Sequence, residues 1–202
     1  PAGTEPDYPI VVLVNGSSAS ASEIVAGALK NLDRAIIVGS STFGKGSVQL
    51  VFSDVTPDKA ALKLTIAQYL TPGDLSIQGV GVSPDIELDP MTVDPLEMDV
   101  FGENKGLRER DLSAHLSNAK AREGAKPTYT VRYYMPATER AIIRDRGSDL
   151  DDKFEADFPI KFGRELVLAA PSNKPRSEQL KALKDAASTA SKDEQTKLAA
   201  DL

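Results

Sequence analysis

The sequence predicts an α/β layer over residues 1–90, built around a βαβ unit, and three observations predict it. Residues 10–15 (Ile-Val-Val-Leu-Val-Asn) form a short continuous apolar run, the pattern of a strand buried on both faces. A helix signal follows: Ser17, Ser18, Ser20 and Ser22 offer hydroxyls for the first turn, and Ile24, Val25, Ala26 and Leu29 supply the apolar positions. The helix should stop near Asn31-Leu32-Asp33, and a second apolar run, residues 35–38, then leads to Gly39. Strand, helix and strand at this spacing read as a βαβ unit.

Two more strands are expected beyond it. Val48, Leu50 and Phe52 alternate with polar neighbours except at Val51, which predicts a half-buried strand. Leu62, Leu64, Ile66 and Tyr69-Leu70 suggest another, closed by a turn at Thr71-Pro72-Gly73-Asp74.

After Pro90 the texture changes. Residues 91–173 are charge-dense, with helical patterns over 107–119, 150–158 and 160–170, the last two separated at Pro159. Tyr129, Val131 and Tyr133 alternate as a strand. Residues 174–202 are mostly Lys, Asp, Ala, Ser and Glu, readable as an exposed helix or a disordered tail. The opening residues Pro1–Asp7 read as a loop running into a strand, and the expectation is a piece of a longer chain.

Composition narrows the function. At 202 residues and 41% hydrophobic the chain can bury a core, which must rest on aliphatic side chains because aromatics are 5% and Trp is absent. A net charge of −6 argues against nucleic-acid binding by phosphate neutralisation. No apolar run is long enough to span a membrane, and no signal peptide opens the sequence. The absence of cysteine removes disulfides, thiolate metal sites and a Cys nucleophile. With His115 the one histidine, neither a zinc site nor a Ser-His-Asp triad is expected, and His115 itself reads as a surface or partly packed helix residue. Asp149, Asp151 and Asp152 lack the spacing of a calcium loop. No cofactor or metal is expected.

What remains converges on residues 15–49. Ser20 lies where a strand hands over to a helix, so unpaired N–H groups and the positive helix end favour developing negative charge there. The N–H of Ala21 is placed to donate to an oxyanion. The plainer alternative is that these serines only cap the helix. Lys45 lies between Gly44 and Gly46, which allow a tight turn and a close approach to another segment. A lysine acting as a general base has to be unprotonated, which burial favours; the alternative is a solvated loop lysine. Gly39-Ser40-Ser41-Thr42-Phe43-Gly44-Lys45 also satisfies most of a phosphate-binding loop, but Gly46 stands where the magnesium-holding Ser/Thr belongs, and a strand follows instead of a helix.

The run Val11–Ile24, then Arg34-Ala35, Val38-Gly39, Thr42–Gln49 and Ser76–Ile86, resembles the signature of the C-terminal processing (tail-specific) peptidase family over roughly residues 9–90. The resemblance implies a ClpP/crotonase-like layered core with a helical C-terminal extension. Residues 1–90 would then be the C-terminal half of a peptidase core, 91–173 a mainly helical extension and 174–202 a tail. It places the nucleophile at Ser20, the base at Lys45 and a lysine-orienting residue at Gln49. A variant of the family pattern has an aspartate eleven residues after the serine, where this chain has Asn31. The implied activity is cleavage of proteins near their C-termini through an acyl-enzyme, on protein or peptide substrates, in the bacterial periplasm, compatible with a homo-oligomer. The family's PDZ domain and its Asp-Leu-Arg-x-Asn-x-Gly-Gly motif, source of a second oxyanion donor, do not occur in these 202 residues, so weak or no activity of the piece alone is expected. The alternative is a non-catalytic module whose residues 91–202 mediate assembly.

Overall fold

The computed structural model describes residues 8–56, 58–93, 98–99, 107–112, 126–146 and 157–201. The βαβ unit is present: β1 (Val11–Val14), α1 (Ala21–Asn31) and β2 (Ile36–Gly39), with the strands parallel from Val11 opposite Ile36 to Val14 opposite Gly39. β3 (Ser47–Phe52) and β4 (Leu62–Gln68) form a separate antiparallel ribbon, and β5 (Leu70–Thr71) pairs with β6 (Leu75–Ser76). β7 (Ile86–Val93) joins the main sheet beside β2, parallel to it; β8 (Met98–Asp99) pairs antiparallel with its end. β9 (Tyr129–Tyr134) lies parallel on the other side of β7. The helices α2 (Ala137–Arg146), α3 (Phe158–Ala169), α4 (Arg176–Ala182) and α5 (Lys184–Asp201) follow.

Strand periodicity makes three layers. Successive residues of β2 point to opposite faces. Ile37 packs with Val14, Ala26 of α1, Ile77 and Val82 on one face. Ile36 and Val38 face the other way, into a cluster with Ile86, Leu88, Val131, Phe162, Leu166, Leu180 and Leu183. The second cluster draws on residues from before position 90, from 91–173 and from the tail. β7 itself runs through position 90. The tail is helical and docked: Leu180, Leu183 and Ala187 are buried, and the buried Glu194 carboxylate accepts the Tyr134 N–H at 3.1 Å.

Three expectations need correcting. β1 is not buried on both faces; it is the end strand of the sheet, and Leu13 is 40% exposed. The helix of residues 160–170 is not broken at Pro159. Asp157 caps α3 by accepting from the Ile160 N–H at 3.1 Å, and Pro159 sits in the first turn, where a missing N–H costs nothing. The alternation of β3 does not half-bury its far end: Leu50 and Phe52 share one face of the ribbon with Leu64 and Leu62 of β4, and all four stay exposed. Of residues 107–119 the described part, 107–112, holds a single 3₁₀ turn at Glu109–Asp111. His115, Asp149–Asp152 and the proposed helix start at 150 lie outside the described residues. Among the described residues no helix is long and apolar enough to cross a membrane.

At the edge where β2 and β7 begin, a buried ionic cluster joins the tail to the core. Asp85 accepts from the Ile37 N–H at 2.9 Å and pairs with Lys30 Nζ at 3.2 Å and Arg176 Nη1 at 2.5 Å. Arg176 Nε also reaches Asp33 at 3.2 Å. Burial holds the Lys30 pKa below its ordinary value, against the opposing pull of Asp85.

Candidate active site

The turn after β1 is fixed by its own polar groups. Asn15 Oδ1 accepts the Ser17 N–H at 2.9 Å, and Asn15 N–H donates to Ser18 Oγ at 3.1 Å. Ser22 Oγ donates to the Ala19 carbonyl at 2.7 Å. Ser18 and Ser22 therefore do the local work expected of serines around a helix start. Ser20 is different. It is the N-cap of α1, with φ 56° and ψ −116°, a conformation close to the first central residue of a type II′ turn, where glycine is usual. A side-chain-bearing residue held there costs about 1–3 kcal/mol and persists only where its surroundings enforce it.

The enforcing group is Glu23, at the third position of α1 and fully buried. Its Oε2 accepts the Ser20 N–H at 2.9 Å. The same oxygen accepts the Lys45 N–H at 2.8 Å. Oε1 accepts the Thr42 hydroxyl at 2.5 Å and the Gly44 N–H at 2.6 Å. The Ser20 turn and the Lys45 loop are thereby bound to one carboxylate.

Other bonds pin the loop from outside. Phe43 N–H donates to the Ser18 carbonyl at 3.0 Å, and Gly79 N–H to the Gly44 carbonyl at 2.8 Å. Gly46 N–H donates to the buried Gln78 Oε1 at 2.9 Å. A Cβ on Gly46 would lie 2.9 Å from the Gln78 nitrogen, so the close approach expected of the glycines flanking Lys45 is real. The half-buried Lys45 thus leaves a rigid loop. The same contacts close the phosphate-binding reading: the Gly44 and Lys45 N–H groups already serve an internal carboxylate, and β3 follows where a phosphate loop opens a helix.

Ala21, the first residue of α1, has an N–H without an intrahelical acceptor, as helix geometry requires. Gln49 lies on β3 at the register shift between Val48 and Gln49, and its Nε2 donates to Thr65 Oγ1 at 3.4 Å on β4. Asn31 ends α1, about 16 Å along the helix from Ser20 at ~1.5 Å per residue, and its amide donates to Thr71 Oγ1 at 2.8 Å. It serves the fold rather than the serine. Beside the serine turn, at the C-terminal ends of the parallel strands, lies a cavity of about 390 Å³ lined by Asn15, Ser18, Ser40, Leu88, Tyr133 and Ile160 among others. Ligands of open α/β sheets bind at this edge.

Glu23 is the residue that sequence reasoning passed over. Its signal was present as Ser20-x-x-Glu23, the pattern of a capping box.

The serine turn and the lysine loop, bound to one buried carboxylate, both lie within a stretch that matches a known family. Residues 2–88 match the model of Peptidase family S41. The "Carboxy-terminal-processing protease" of Bartonella bacilliformis is 48% identical over 110 residues, covering 54% of this chain and 24% of that protein. The chloroplastic "Carboxyl-terminal-processing peptidase 3" of Arabidopsis thaliana is 47% identical over 125 residues, covering 56% and 24%. A solved structure of a photosystem II D1 C-terminal processing protease is 42% identical, with a TM-score of 0.36 over 51% of this chain and 25% of that one. The chain spans about a quarter of the length of the curated relatives it matches.

Proposed function

We propose that this chain carries the nucleophile and base of a serine endopeptidase that cleaves proteins near their C-termini, within a ClpP/crotonase-like layered core. The observation that carries the reading is the joint attachment of Ser20 and Lys45 to Glu23 Oε2. Ser20 Oγ attacks the scissile carbonyl carbon and its proton passes to Lys45 Nζ. The carbonyl oxygen becomes an oxyanion, received by the Ala21 N–H at the positive end of α1. Collapse breaks the C–N bond, the departing amine takes the proton from Lys45, and an ester on Ser20 remains. Water then attacks that ester with Lys45 again accepting a proton, which returns to Ser20 Oγ as the acid leaves. Gln49 steadies Lys45 in this scheme, once its side chain turns from Thr65.

Loss of one oxyanion donor typically costs about 10²–10³ in rate. Without the family's second donor motif, the 202 residues alone should turn over peptide weakly or not at all. The periplasm is proposed from the family resemblance alone. A fluorophosphonate probe applied to the full-length protein tests the reading: it should label Ser20, and Ser20→Ala and Lys45→Met should each abolish labelling with the fold intact. Undiminished labelling of Ser20→Ala would sink it.

A further inference from the structure

Glu23 has more to do than cap the start of a helix. A cap needs one acceptor, yet this side chain collects four donors from two segments, and a carboxylate has about four lone-pair sites for them. Two donors come from the residues read as nucleophile and base; the other two, Thr42 and Gly44, belong to the loop that carries Lys45. Thr42 is itself held: it is fully buried, and its hydroxyl also accepts the Val82 N–H at 2.7 Å. The carboxylate is thus the common reference point of Ser20 and Lys45, which lie on different elements and share no strand or helix.

We propose that Glu23 is a positioning residue of this site: it holds Ser20 in its glycine-like backbone conformation and fixes the Lys45 loop against it, without touching substrate. The inference rests on the reading of Ser20 and Lys45 as nucleophile and base. The conformation of Ser20 has a cost, and the bond from its N–H to Glu23 opposes relaxation. The second half of the argument is geometric. A displacement of either segment alone would break one bond to Oε2 while leaving the other, so the two are coupled through that oxygen.

Glu23→Gln is the test, because it keeps shape and removes acceptors. Whichever way the amide turns, its NH2 meets two N–H or O–H donors that need an acceptor. Two readouts are taken on the full-length protein. Amide hydrogen exchange at Ser20, Gly44 and Lys45 should accelerate by about tenfold or more at one pair of donors or the other. Fluorophosphonate labelling of Ser20 should slow by about tenfold or more in its maximal rate, with the half-saturating probe concentration unchanged, as a positioning role requires. If Glu23→Gln does not fold, Thr42→Val removes one donor and should give a smaller change at the same amides, which Thr42→Ser should reverse. Wild-type exchange at all three amides, or an unchanged maximal labelling rate, overturns the proposal. If the wild-type full-length protein is never labelled while the exchange responds, the peptidase reading has failed and the coupling of the two segments through Glu23 stands.

Discussion

The backbone N–H groups of Ser20 and Lys45 converge on one oxygen, Glu23 Oε2, at 2.9 and 2.8 Å. Twenty-five positions separate the two residues, and one lies at a helix start while the other leaves a loop after β2. A shared acceptor sets their main chains relative to each other more tightly than separate contacts with the core would. It also explains how a serine is kept where glycine is usual.

Ser20→Gly should stabilise the protein while abolishing labelling. Glycine adopts φ 56° freely, and relief of the strain outweighs the entropy that glycine loses on folding. A gain of about 1 kcal/mol is expected, or a rise of roughly 2–4 °C in Tm for a chain of this size. Thermal unfolding followed by circular dichroism checks it, and a fall in Tm would show that the turn is not strained.

Gly39→Ala and Gly16→Ala should behave oppositely. Gly39 ends β2 at φ 129°, and a Cβ there would lie 1.9 Å from the Val14 carbonyl oxygen of the neighbouring strand. A loss of about 3 kcal/mol or more, or failure to fold, is expected. Gly16 has nothing within 4 Å of its added Cβ, and its substitution should stay within about 0.5 kcal/mol of wild type. Urea unfolding of the pair separates the two.

Arg176→Ala should loosen the tail. It leaves Asp85 with only Lys30 as a cationic partner and removes the side-chain tie to Asp33. Breaking a fully buried pair costs about 3–5 kcal/mol; with the Arg176 side chain 21% exposed, about 2–3 kcal/mol is expected. The midpoint of urea denaturation should fall, and amides of α4 should lose protection from exchange.

Stability should decline in alkali because of Tyr133. Burial pushes its phenol well above the ordinary value of 10.0, with Asp157, Glu139 and Asp89 adding to the shift. The folded chain then keeps a proton that the unfolded chain releases. The stability from this group is complete below pH about 10 and drains away as pH rises beyond it, by up to about 1.4 kcal/mol per pH unit. Lys30, held low by burial, acts in the opposite sense over the range below its unfolded value. Tyr133→Phe should remove the Tyr133 slope and leave that of Lys30. Equal alkaline profiles for the two proteins would refute the assignment.

Elements whose partners lie nearby in sequence were legible. β1, α1 and β2 carry their periodicity and caps locally, and α1 ends at Asn31 as read. The burial of β1 was not legible, because position in a sheet depends on strand order, which its own residues do not encode. The tail was undecided for a similar reason: Leu180, Leu183 and Ala187 gain meaning only within the cluster they share with β2, β7, β9 and α3. At the site, the motif placed Ser20 and Lys45 in one context. Glu23 stayed hidden because a glutamate three residues after a cap is ordinary, and only the folded loop reveals its other three donors. Pro159 was misread by taking proline as a breaker where it opens a helix.

The covering of the sheet by α3, over β1 and β2, and by α5, over β9, also sets a clock on synthesis. Ile36 and Val38 leave the ribosome long before Leu180 and Leu183, which complete the same buried cluster. At roughly 5–20 residues per second the interval is about 7–30 s. Throughout it one apolar face of the nascent sheet is short of its lid, a period in which a holding chaperone or a neighbouring nascent chain competes for the same surface.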